Sequence, residues 1–156
     1  KDALQQATSR NNNSIGAFMN LGVTLTGLGD FTGAVDALKR ANDLKKDWDI
    51  GLFELGVAYR QLKDFRYAAQ TFKRITELNN KIPEAFYEWG TAENALGNKD
   101  AAKSALKKLK EFKTPGAKKL SDDLDMIIKG AVLDAGKRKV ESKINQNVPK
   151  IPKLPY

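Results

Sequence analysis

A glycine recurs every 34 residues along this chain, at Gly22, Gly56 and Gly90. Four further positions repeat in the same register: apolar residues four and one before each glycine, an alanine twelve after it, and a bulky residue sixteen after it. These positions are filled by Phe18, Leu52 and Phe86; Leu21, Leu55 and Trp89; Ala34, Ala68 and Ala102; and Leu38, Phe72 and Leu106. A fixed period of this length predicts stacked copies of one supersecondary unit.

The repeated small residues indicate close contacts between helices. A glycine inside a helix costs about 1 kcal/mol relative to alanine, so its recurrence points to packing. We expect the two helices of each unit to cross at the small residues, with the bulky residues filling the gaps beside them. The predicted repeat-packing residues are Gly22, Ala34, Gly56, Ala68, Gly90 and Ala102.

The second unit resembles the tetratricopeptide repeat most closely. The residues that carry this resemblance are Leu52, Leu55, Gly56, Tyr59, Ala68 and Phe72. The resemblance implies an all-α fold, a right-handed superhelical solenoid of antiparallel helix pairs. The third unit departs from the pattern, because Glu93 and Lys99 stand at positions that hold apolar residues in the other two.

The pattern predicts how the chain is divided. Leu4 and Ala7 lie 34 residues before Leu38 and Ala41, which suggests part of an earlier repeat and further repeats upstream. The predicted units are the second helix of a truncated repeat at 1–14, full repeats at 15–48, 49–82 and 83–114, a C-terminal capping helix at 115–146 and an extended Pro/Lys tail at 147–156. Predicted helices are 1–10, 14–28, 31–44, 48–62, 65–79, 83–96 and 99–112. The capping helix carries Leu120, Leu124, Ile127, Ala131 and Ala135 at helical spacing.

Composition narrows the chemistry. The chain has neither cysteine nor histidine, which removes disulfides, thiolate nucleophiles, Cys/His zinc sites and imidazole catalysis. Carboxylate metal sites and carboxylate catalysis survive this exclusion, but Asp47 and Asp49 lack the further ligands of a calcium loop, and the glycines near Gly22 do not form a phosphate loop. We predict a protein that is not an enzyme and that needs no cofactor or metal.

The resemblance implies that the first helices of successive repeats line a concave groove for a protein partner. The groove positions are Met19, Asn20, Val23, Phe53, Glu54, Val57, Arg60, Glu84, Tyr87, Glu88, Thr91 and Asn94. Their mixture of apolar and acidic residues favours an apolar or basic segment, and it disfavours the acidic chaperone tails that some family members bind. Val23 and Val57 fit core packing as well as binding, whereas Phe53 and Tyr87 are favoured for binding.

The second helices carry a basic surface, which would be convex in such a solenoid. Its members are Lys39, Arg40, Lys45, Lys46, Lys73, Arg74, Lys103, Lys107, Lys108 and Lys110. This surface is either a solvated helix face or a docking site for an acidic subunit or an anionic membrane. Nucleic acid is disfavoured, because aromatic residues are not interleaved with base-reading polar ones.

Two functions remain open at this point. The first is a non-catalytic scaffold or adaptor that binds a partner peptide or helix in its concave groove. The alternative is a structural accessory subunit of a larger, membrane-associated or soluble complex, held through its basic convex face and extended C-terminal tail.

Overall fold

The computed structural model describes residues 14–130, and this part of the chain folds into seven α-helices without a strand. The all-α helical repeat fold predicted from the sequence is confirmed. The helices are α1 (Ile15–Gly27), α2 (Phe31–Leu44), α3 (Asp49–Gln61), α4 (Phe65–Leu78), α5 (Pro83–Ala95), α6 (Lys99–Leu109) and α7 (Pro115–Ile128). The predicted truncated repeat at 1–14, the capping-helix positions Ala131 and Ala135, and the tail at 147–156 lie outside the described residues, apart from Ser14.

Polar side chains fix where several helices begin. The hydroxyl of Ser14 accepts a hydrogen bond from the Ala17 amide at 3.2 Å, and Asp30 and Thr114 cap α2 and α7 in the same way. These bonds satisfy amides that have no partner inside the helix. Pro83 occupies the first turn of α5, where its missing N–H costs little.

The same turn joins the two helices of every repeat. After α1, the amide of Asp30 donates to the Leu25 carbonyl at 2.9 Å, and the amide of Gly29 donates to the Thr26 carbonyl at 3.1 Å. This pair of bonds is the Schellman motif, which needs a residue with positive φ. Gly29 and Gly97 supply it with φ of 79° and 81°, whereas the middle repeat uses Lys63 at 61°.

The repeated glycines admit bulky side chains of the following helix. A Cβ at Gly22 would lie 2.4 Å from the Cγ of Leu38, and one at Gly56 would lie 2.8 Å from the Cζ of Phe72. The atoms nearest to each of these two glycines therefore belong to the bulky residue, and Ala34 and Ala68 are fully buried nearby. The contact at Gly90 is different, because its nearest neighbours are Leu124 of α7 and Ala105.

Helix α7 covers the end of the third repeat. It contacts both α5 and α6, and Leu124 is fully buried between them. The helix ends at Ile128 and is followed by Gly130 with a φ of 68°. Its buried face therefore extends the apolar core by one further helix.

Candidate partner-binding groove

The groove positions predicted from the sequence differ widely in exposure. They lie on α1, α3 and α5, the first helices of the three repeats. The residues whose side chains are mostly exposed are Asn20 and Val23. The half-buried ones are Phe53, Glu54, Arg60, Glu84, Thr91 and Asn94, and the buried ones are Met19, Val57, Tyr87 and Glu88. Access to this surface is therefore greatest at its first two repeats.

An ion pair joins the second and third repeats inside the groove. The Nε of Arg60 on α3 lies 3.2 Å from an Oε of Glu88 on α5, and the exposed fractions of the two side chains are 13% and 11%. Burial raises the pKa of the Glu88 carboxyl, and the Arg60 guanidinium opposes that rise only in part. Because the Arg60 guanidinium balances its charge at 3.2 Å, Glu88 contributes little net negative field to a ligand.

Tyr87 packs into the core that α7 closes. It belongs to the same apolar cluster as Leu124 and Ile128, and only 8% of the residue is exposed. Burial, followed by the charges of Glu88 and Asp123, raises the pKa of the Tyr87 phenol to about 12. Most of its ring is thus occupied by contacts within the chain, which leaves Phe53 as the more accessible aromatic residue of the groove.

Phe53 and Glu54 are consecutive, half-buried residues of α3 at predicted groove positions. The Phe53 ring meets the edge of Phe72 with centroids 5.4 Å apart, which holds its orientation. Beside it, burial raises the pKa of the Glu54 carboxyl. Within residues 14–130 we find neither an ion pair nor a hydrogen bond to Glu54. These two predicted groove positions therefore combine a half-buried aromatic ring with a partly desolvated carboxylate on the same helix.

The polar departure of the third repeat is accommodated by hydrogen bonds. Glu93, which replaces an apolar residue, accepts from the Nε1 of Trp89 at 3.0 Å and from the Nδ2 of Asn98 at 2.8 Å. These bonds tie the side chain to the turn that joins α5 and α6. The third repeat thus keeps the geometry of the other two with a different set of contacts.

Sequence reasoning did not find the Arg60–Glu88 pair. The two residues carry opposite charges on the first helices of adjacent repeats, and this was the available signal.

None of the helices described between residues 14 and 130 has the length and apolarity needed to cross a membrane.

Each repeat is a helix pair with the same turn, a glycine contact and a surface on its first helix. These features define a class of protein-binding helical scaffold. Family models described as tetratricopeptide repeats match residues 15–47, 51–79 and 84–112, which together make up more than half of the chain. The chain therefore belongs to the tetratricopeptide repeat family, as the sequence pattern predicted. Among curated proteins, no significant match was found.

Solved structures share this fold. A crystal structure of MamA is 24% identical in sequence to this chain, with a TM-score of 0.68. The match covers 92% of this chain and 88% of the MamA chain. The chaperone SycD of Yersinia enterocolitica, in complex with a YopD peptide, is 16% identical (83% and 92% covered, TM-score 0.65). The first repeat domain of Spaghetti (RPAP3), bound to the HSP90 peptide SRMEEVD, is 20% identical (76% and 93% covered, TM-score 0.64). At these identities the likeness concerns the fold.

Proposed function

We propose that this chain is a non-catalytic scaffold whose concave groove binds an apolar segment of a partner protein, one that also carries a basic or amide group. The binding surface consists of the accessible residues of α1 and α3. Its apolar part is Val23 and Phe53, and its polar part is Asn20 and Glu54.

The observation that carries this proposal is the environment of Glu54. A carboxylate that loses water without gaining a donor destabilises the fold. A lysine, arginine or amide of the partner would restore the lost interactions, and a charge-assisted hydrogen bond is stronger than a neutral one. Phe53 precedes Glu54 on α3, and buried aromatic residues supply much of the affinity at protein interfaces. Together the two residues favour a partner that is apolar and basic.

The experiment is co-purification of a partner from the native source with the full chain and three variants. Phe53→Ala removes the aromatic contact, and we expect it to weaken partner binding at least about tenfold, which corresponds to about 1.4 kcal/mol. Glu54→Gln keeps the shape and removes the charge, and it should weaken binding of a basic segment. Asp43→Asn is the matched control, because it removes one exposed carboxylate from α2, a second helix, outside the groove.

Equal partner recovery with Phe53→Ala and wild type would contradict groove binding, provided that circular dichroism shows the variant to be folded. If the Glu54→Gln variant retains the partner and the Phe53→Ala variant loses it, groove binding would stand. That result would refute only the preference of the groove for a basic group.

The same reasoning predicts which peptide the groove rejects. The HSP90 peptide SRMEEVD binds the Spaghetti (RPAP3) domain, which shares the fold. Here the acidic end of that peptide would meet Val23, Glu54 and Glu84, so it would face apolar surface and like charge. We expect no saturable binding of SRMEEVD below about 1 mM by calorimetry. Micromolar binding would show that the groove selects anions.

A further inference from the structure

The second helices carry a basic pair at the same position of every repeat. The three pairs are 34 residues apart and all six side chains are exposed: Lys39 and Arg40, Lys73 and Arg74, Lys107 and Lys108. Contacts within the chain occupy several of them. Arg40 lies over the Phe18 ring at 5.7 Å, and Arg74 forms an ion pair with Asp47. Within residues 14–130 no ion pair is found for Lys39 or Lys107.

A cleft opens between α4 and α6, the second helices of adjacent repeats, and its lining includes none of the predicted groove residues. Its volume is about 630 Å³. Three aromatic residues line it: Phe86 and Trp89 from α5, and Phe112 just after α6. The Phe86 and Phe112 rings lie 5.8 Å apart in a tilted arrangement. The cleft can therefore take up an apolar side chain from outside the molecule.

The rim of the cleft is predominantly basic. Lys73, Lys107 and Lys108 stand along it, together with two acids. Glu77 lies 3.9 Å from the Nζ of Lys73, and Glu111 lies 3.3 Å from that of Lys108, which leaves Lys107 in excess. The positive field extends beyond the cleft, because residues 99–119 contain eight exposed lysines and two acidic residues.

We propose that this cleft binds an acidic segment of a partner protein, with one aromatic or large aliphatic side chain of that segment packed against the cleft wall formed by Phe86, Trp89 and Phe112. The lysines supply charge complementarity, which accelerates association and selects the partner. The aromatic residues supply an anchor, which a purely electrostatic surface lacks. An anionic bilayer would meet the exposed lysines, but its flat surface would leave the aromatic residues of the cleft uncovered.

The cleft contains its own reporter, since Trp89 is one of only two tryptophans in the chain. The other, Trp48, packs under Lys45 and is replaced in the conservative variant Trp48→Phe. In that background, fluorescence of the full chain is titrated with the synthetic peptide Glu-Asp-Phe-Glu-Asp-Glu. A version with serine in place of phenylalanine and vesicles of three parts phosphatidylcholine to one part phosphatidylserine are the comparison ligands.

We expect saturable Trp89 emission changes with the phenylalanine peptide below about 1 mM, and at least about fivefold weaker binding of the serine peptide. Lys107→Glu should weaken binding of the phenylalanine peptide at least about fivefold. Lys39→Glu is the matched control, because it makes the same charge change at the same repeat position away from the cleft. It should weaken binding less than about twofold.

Any of four results would overturn the proposal. Equal weakening by Lys107→Glu and Lys39→Glu would indicate attraction to the whole basic surface rather than to the cleft. Equal affinity of the two peptides, or no response up to about 1 mM, would mean that the aromatic residues do not take an anchor. Emission changes with the vesicles but not with the peptide would assign the surface to a membrane.

Discussion

Replacing Gly22 by alanine tests the contact on which the repeat depends. The new Cβ would lie 2.4 Å from the Cγ and 2.8 Å from the Cδ2 of Leu38. Leu38 is fully buried, and the closest atom is its branch carbon, so a small rotation cannot relieve the clash. Overpacking costs about 1–3 kcal/mol, and alanine returns about 1 kcal/mol of helix propensity. Taking the upper end of the first range, we expect Gly22→Ala to lower the free energy of unfolding by about 2 kcal/mol.

Gly27→Ala is the matched control in the same helix, because a Cβ there would meet no atom within 4 Å apart from its chain neighbours and the nearby backbone of its own helix. It should raise the free energy of unfolding by up to about 1 kcal/mol. Both variants are compared with wild type by urea unfolding, followed by far-UV circular dichroism, with the slope of the transition used to check that the unfolded states are comparable.

A second background separates steric clash from other effects. Leu38→Ala alone should cost about 2–5 kcal/mol, because it leaves a cavity. In that background Gly22→Ala has room and should stabilise by about 1 kcal/mol, which gives a coupling energy of about 3 kcal/mol between the two positions. The packing argument fails if Gly22→Ala leaves the wild-type chain equally stable, or if its effect is the same in both backgrounds.

Three further predictions concern the turns and the buried polar groups. Lys63→Gly should stabilise the chain by about 0.5–1 kcal/mol in urea, because φ is 61° there and glycine carries no Cβ penalty; destabilisation would refute this. Arg60→Leu should cost about 3 kcal/mol by leaving the Glu88 carboxylate buried without its cation, and adding Glu88→Leu should restore most of the loss. Tyr87 ionises at about 12 in the fold and near 10 when unfolded, so stability should fall as the pH rises from about 10 to 12, by up to about 3 kcal/mol. Tyr87→Phe should reduce that alkaline slope, with a part remaining from Tyr59, whose pKa burial also raises; an unchanged slope would contradict the pKa assignment.

The sequence predicted the helices well because the signals that end them are local. The turn between α1 and α2 needs a residue with positive φ, and Gly29 followed by the capping Asp30 marks it directly. The end of α6 carries no such glycine. The predicted helix ran to 112, whereas α6 ends at Leu109 and continues as a turn in which the Phe112 amide donates to the Leu109 carbonyl.

The functional surfaces were harder to predict, because they depend on contacts between repeats. The pattern placed Tyr87 and Glu88 on the first helix of the third repeat. It gave no sign that α7 packs against Tyr87 or that Arg60 neutralises Glu88. The cleft on the convex side depends on the position of Phe112, which lies beyond the helix that was predicted to contain it. Periodicity therefore defined the helices, whereas side-chain packing between them determined which residues stay accessible.

The most direct test of the proposed groove is photo-cross-linking from position 53. The full chain is produced with p-benzoylphenylalanine in place of Phe53, irradiated in its native complex and analysed by mass spectrometry. The matched control carries the same group in place of Tyr67, an exposed aromatic residue of α4. Groove binding predicts cross-links from position 53 to an apolar, basic segment of one partner protein and few from position 67. Cross-links to a partner from position 67 with none from position 53 would contradict it.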